Sequence, residues 1–144
     1  MDTSAVLQRL RQFMLLLAGS VFLATPLELL LAEHFQSPAQ FIPFVLSVLG
    51  LVLVVMALRN PQRGLLQALR AVMVLEIAGG AFGALLHFNE NMEFFREIQP
   101  NAAFSEVLLK TLTGAAPLLA PGILGLAGLL ALAALYQHPV LHKK

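Results

Sequence analysis

The sequence predicts an all-α, polytopic membrane protein: a bundle of four membrane-spanning helices arranged as two helical hairpins. Three observations carry this. The 144 residues are 58% hydrophobic and only 12% charged, about half the charged fraction of a soluble domain, roughly 25%. The apolar residues fall in four long stretches, the polar ones between them. Seven of the nine Lys and Arg lie in segments that an even number of spans places on one side.

A hydrocarbon layer of about 30 Å takes roughly 20 apolar residues as helix, which puts spans at Phe13–Ala32, Phe41–Leu58, Ala71–Phe88 and Ala115–Tyr136. The first follows Arg9 and Arg11 and runs too far, without a small-residue cleavage pattern, to read as a removable signal. Pro26 lies two residues before Glu28 and is expected to kink it by removing a backbone hydrogen bond. The second span carries no charged residue. The third continues past the lipid through Asn89–Ile98 and ends at Pro100. The outer connection, about residues 89–112, then holds a short helix, Ala102–Lys110, capped by Asn101. Pro117 and Pro121 are expected to interrupt the outer end of the fourth span. The whole chain, 1–144, forms one membrane domain.

Arg9, Arg11, Arg59, Arg63, Arg70, Lys143 and Lys144 share one side with a single acid, Asp2. The other side has Arg96 and Lys110 against Glu33, Glu90, Glu93, Glu97 and Glu106. By the positive-inside rule both termini are cytoplasmic, in a bacterial inner (plasma) membrane. Cys is absent, which excludes disulfides, thiolate metal sites and a Cys nucleophile. No basic cluster points to nucleic acid; the lipid bilayer is the expected partner. Sliding the second half onto the first aligns Leu10-Arg11 with Leu69-Arg70, Met14 with Met73 and Glu28 with His87, the pattern of an internal duplication. Glu28 and His87 then lie at similar depth near the outer surface.

Within the third span Glu76, Gly80, Gly83, His87, Glu90 and Phe94 recur at alternating spacings of four and three. At 100° per residue they fall within about 40° of one line. Glycines on such a face let a neighbouring helix approach closely, or clear space for water or a ligand. Gly79, Gly80 and Gly83 are the packing candidates, and Gly79-x-x-x-Gly83 could equally join two copies or hold a membrane partner. Glu76 must face the bundle interior, where Arg70 is expected to reach toward it.

Glu28, His87, Asn91 and Glu90 toward the outer mouth, with Glu76 deeper on the same helix face, are therefore the candidates for a ligand or ion site. His34, His87, Glu28 and Glu93 have the chemistry of divalent-metal ligands. The spacing is unspecific: helix-bundle metal sites repeat Glu-x-x-His, whereas His87-x-x-Glu90 is reversed and single. His34 and His87 differ by about a turn and a half in the repeat register, which disfavours a haem held between them.

The last third of the chain resembles small bacterial four-helix inner-membrane proteins of unassigned function, through Asn91-x-Glu93-Phe94-x-x-Glu97-x-x-Pro100, Leu112-x-Gly114-x-x-Pro117-x-Leu119-Ala120-Pro121-Gly122 and Tyr136-x-His138-Pro139. Glu76-x-x-Gly79-Gly80 also looks like DoxX-type four-helix proteins, without the rest of that pattern. Neither resemblance implies a substrate. The expected function is a non-enzymatic binding or accessory component with an acidic, histidine-bearing outward site. The alternatives are a proton- or cation-coupled transporter working as a dimer, and a quinone- or haem-holding subunit of a redox complex.

Overall fold

A computed structural model describes residues 2–142, so Lys143 and Lys144, counted above on the basic side, lie outside the described residues. Among the described residues six α-helices form: α1 (Thr3–Leu31), α2 (Phe41–Arg59), α3 (Arg63–Ile98), α4 (Phe104–Leu112), α5 (Gly122–Leu135) and α6 (Pro139–His142). A 3-10 turn at Pro38–Gln40 introduces α2. Three helical segments, Thr3–Leu31, Pro38–Arg59 and Arg63–Ile98, are long and apolar enough to cross a membrane.

Four helices close a ring in the order α1, α2, α3, α5, and α5 returns against α1. Helices α1 and α3 thus stand diagonally opposite. The shared core is aliphatic, with one aromatic: Leu15, Ala18 and Phe22 from α1, Val54 from α2, Leu69 and Met73 from α3, and Ala127 and Ala131 from α5. Outside the ring the surface is apolar as well, with Leu16, Leu23, Val45, Leu85 and Leu126 more than half exposed. Contiguous apolar surface on that scale is unstable in water and is what acyl chains solvate, in keeping with a membrane protein.

Close helix approach rests on glycines facing backbone. A Cβ added at Gly80 would sit 2.7 Å from the Pro121 carbonyl oxygen, and one at Gly128 would sit 2.9 Å from the Met73 carbonyl oxygen. Helices α3 and α5 therefore touch through their main chains, as small-residue contacts in lipid allow. On α5 the ridge Gly125, Gly128, Ala131, Ala134 repeats every three residues, and all four are buried.

The fourth predicted span differs from the structure. Pro117 and Pro121 end the helix rather than bend it: regular α-helix begins only at Gly122, with Pro121 at the N-cap, and runs 14 residues. At 1.5 Å per residue that is about 21 Å, short of the hydrocarbon thickness, and residues 113–121 before it run as turns and bends. By contrast α1 continues through Pro26 to Leu31 without a break. Asn101 does not cap α4, which starts at Phe104 with Ala103 at its N-cap.

At the opposite end Val140 and Leu141 pack against the core, and Arg11 ties the chain to α1. Arg11 is buried and donates from Nη2 to the Gln137 carbonyl at 2.9 Å. Gln137 stands at φ 50°, the left-handed turn that swings the chain away from α5 and turns its carbonyl toward α1. Burial, followed by the Arg11 charge, pushes the nearby His138 imidazole below its ordinary pKa, so the neutral ring is favoured there.

Candidate functional site: a cavity between diagonal helices

The stripe on α3 behaves as its spacing predicts. Glu76 and Gly80 are buried, Gly83 and His87 half-buried, and Glu90 and Phe94 exposed. The face enters the bundle at Glu76 and emerges from it at Glu90. Five of its six residues, Glu76 through Glu90, line one cavity of about 400 Å³. Across it stand Thr25 and Glu28 of α1, His34 and Gln40 of the following link, Leu46 of α2, and Pro117 and Pro121 of the turn before α5. Glu28 of α1 and His87 of α3 thus face a common space from opposite corners of the ring, with Glu28 at its exposed rim.

Each wall has a local cause. At the end of α1, Glu33 adopts φ 51°, and the His34 amide donates back to the Leu29 carbonyl at 2.9 Å. This is the left-handed helix end usually built with glycine. It folds the chain back so that the His34 ring meets His87 edge to face, centroids 6.4 Å apart. Register along a continuous helix had separated these two residues; the reversal at Glu33 brings them together. The link is then braced by Gln40, whose Oε1 accepts from the amides of Gln36 and Ser37.

His87 is oriented by the interruption that Pro117 makes. Its Nδ1–H donates to the Pro117 carbonyl at 3.0 Å. A carbonyl only accepts, so the proton sits on Nδ1 and a neutral ring keeps Nε2 as an acceptor. Thr25 was not foreseen as a lining residue, although it precedes Glu28 by three positions and so shares its helix face. Its hydroxyl donates to the Val21 carbonyl.

Glu76 closes the inner end of the cavity. It is fully buried, and neither carboxyl oxygen has a hydrogen-bond partner. Arg70 does not reach it and lies exposed. A charged side chain within a bilayer is costly, about 2.5–3.5 kcal/mol at the centre on insertion scales and less toward the edge. Such a group is compensated by a proton, a cation or a donor that enters the cavity.

Not every candidate belongs to this site. Asn91 is absent from the lining and is buried behind it. Its Nδ2 donates to the carbonyls of Thr111 (3.1 Å) and Ala116 (2.8 Å), while its Oδ1 accepts from the Ala116 amide (3.0 Å). The residue holds the turn that carries Pro117. Glu93 is exposed and outside the cavity, so the set His34, His87, Glu28 and Glu93 does not assemble. Among the described residues no group of three or more His, Asp or Glu is arranged to hold a metal ion. Gly80 and Gly83 pack against Pro121, and Gly79 against Leu46. Both glycines of the Gly79-x-x-x-Gly83 pair considered for a dimer contact therefore face neighbours within the chain.

No protein-family model, curated protein or solved structure matches this chain. The site is accordingly read from its own geometry. Its lining is mainly apolar with a few convergent polar groups, in the 300–1,000 Å³ range of small-molecule sites.

Proposed function

We propose that this chain is a four-span bacterial inner-membrane protein, with both termini cytoplasmic. On this reading it is a non-enzymatic binding or accessory component whose outward-facing cavity takes a small organic molecule. The observation that carries the reading is the convergence of Glu28, His34, Glu76, His87 and Glu90 on one cavity from two diagonal helices and a link. The charge asymmetry supports the orientation: Arg9, Arg11, Arg59, Arg63 and Arg70 lie toward the end opposite the cavity, which the positive-inside rule assigns to the cytoplasm.

Binding is favoured over conduction by what lies beyond Glu76. Toward the basic end Leu69, Met73, Phe22 and Ala131 are all fully buried in the shared core, so the cavity is closed on that side. The turn at residues 113–121 adds to the same view, because irregular backbone at membrane depth is tolerated where it lines a cavity or is covered by protein.

Native mass spectrometry of the full chain, purified from membranes in mild detergent, tests the reading. A small organic adduct is expected, with occupancy reduced in His87→Ala and Glu28→Gln while helical content stays unchanged. Equal occupancy in both variants would place the ligand elsewhere.

A further inference from the structure

Resting on the reading of the outer cavity as a binding site, the geometry points to its ligand class: an organic cation, an ammonium group on an apolar body, with the ammonium seated on Glu76.

The charged inventory of the cavity is one-sided. Among the described residues its lining holds three carboxyl side chains, Glu28, Glu76 and Glu90, two imidazoles, and no Lys or Arg. A proton on Nδ1 is fixed by the Pro117 carbonyl, so in its neutral form the His87 ring offers Nε2 as an acceptor. Gln40 has its carbonyl oxygen engaged with the link's own amides and keeps only its neutral NH2 as a donor, and Thr25 spends its hydroxyl proton on Val21. Ligands that bring negative charge meet acids and no countercharge. Ligands that bring N–H donors and positive charge meet acceptors at both ends.

Glu76 supplies the independent observation. A fully buried carboxyl with both oxygens unpartnered, lining a cavity, is a group that a donor or cation entering the cavity can complement. An ammonium is the compact complement, with three donors and one charge. Around it Leu46, Phe82, Leu86, Ile123 and Leu124 provide apolar wall, which suits a hydrocarbon or aryl body and gives a strongly hydrated inorganic cation nothing to replace its water. Glu28 and Glu90, at the exposed rim, would draw such a cation in from the outer side.

The test compares three probes of one shape with the full chain in detergent: 4-phenylbutylamine, charged at neutral pH as alkylamines are, neutral 4-phenylbutanol, and anionic 4-phenylbutyrate. The amine is expected to bind about tenfold or more tighter than the alcohol, the scale of a charge-assisted contact removed from water, and the carboxylate not to bind. Glu76→Gln is expected to erase the difference between amine and alcohol. Equal binding of amine and alcohol by the native chain would overturn the cation assignment and leave the cavity a binding site. Binding of none of the three would overturn both. Repeating the amine titration in nanodiscs identifies the source of the ammonium. Competition in phosphatidylethanolamine but not phosphatidylcholine assigns it to a lipid headgroup, and equal binding in the two assigns it to a free amine.

Discussion

Gly80→Leu is expected to unseat α5 from α3 and destabilise the protein by about 3 kcal/mol or more. Overpacking a well-filled interface costs roughly 1–3 kcal/mol where side chains can shift aside. Here the obstacle is main chain: the Pro121 carbonyl oxygen at 2.7 Å and the Gly125 amide nitrogen at 3.2 Å from the added Cβ. Neither can yield without moving the start of α5, and leucine adds further carbons beyond the Cβ. The same displacement would carry Pro121 off the cavity wall, so ligand occupancy should fall with stability. Gly64→Ala is the matched control on the same helix, since nothing lies within 4 Å of a Cβ there. It should be neutral or stabilise by up to about 1 kcal/mol through helix propensity. Thermal unfolding in detergent measures both, and a Gly80→Leu protein as stable as the native chain would refute the main-chain contact.

Asn91→Ala is expected to cost about 3 kcal/mol and to loosen residues 113–121. The amide makes three hydrogen bonds to the main chain of Thr111 and Ala116. Leaving buried partners unsatisfied costs about 1–3 kcal/mol each, reduced where water can reach them. Gly114 packs so tightly on this amide that a Cβ there would overlap it, so the turn is shaped around Asn91. Asn91→Asp sharpens the test: it keeps an acceptor for the Ala116 amide but sets an oxygen against two carbonyls, and should be no better than alanine. Limited proteolysis of the 113–121 turn together with thermal unfolding reads both variants; a turn as protected as in the native chain would contradict the assignment.

How far the sequence reached can be seen element by element. Helices α1, α2 and α3 were legible because long apolar runs flanked by arginines leave few alternatives. The alternating spacing on α3 correctly named the face that lines the cavity, since helical period alone decides which residues share a side. Three features escaped for identifiable reasons. His34 and His87 meet because Glu33 takes a left-handed turn, a single dihedral that no periodicity encodes. Asn91 looked like a ligand group because its polarity was visible and its partners, all backbone atoms, were not. Pro117 and Pro121 read as kinks because apolar residues continue through them, yet packing on Gly80 and Gly83 lets the chain leave helical geometry there. One signal on α5 was present and overlooked: Gly125, Gly128, Ala131 and Ala134, small residues at every third position, mark the ridge that meets α3.

The absence of native cysteine gives the central claim its most direct measurement. Glu28→Cys and His87→Cys, introduced singly and together, test whether α1 and α3 face one outward-opening space. In intact cells with a permeable outer membrane, each single variant should react with a membrane-impermeant maleimide, and a short bifunctional maleimide should join the two sites in the double variant within one chain. Labelling confined to inverted vesicles, or a double variant that never cross-links within one chain, would contradict the outer cavity and the function built on it.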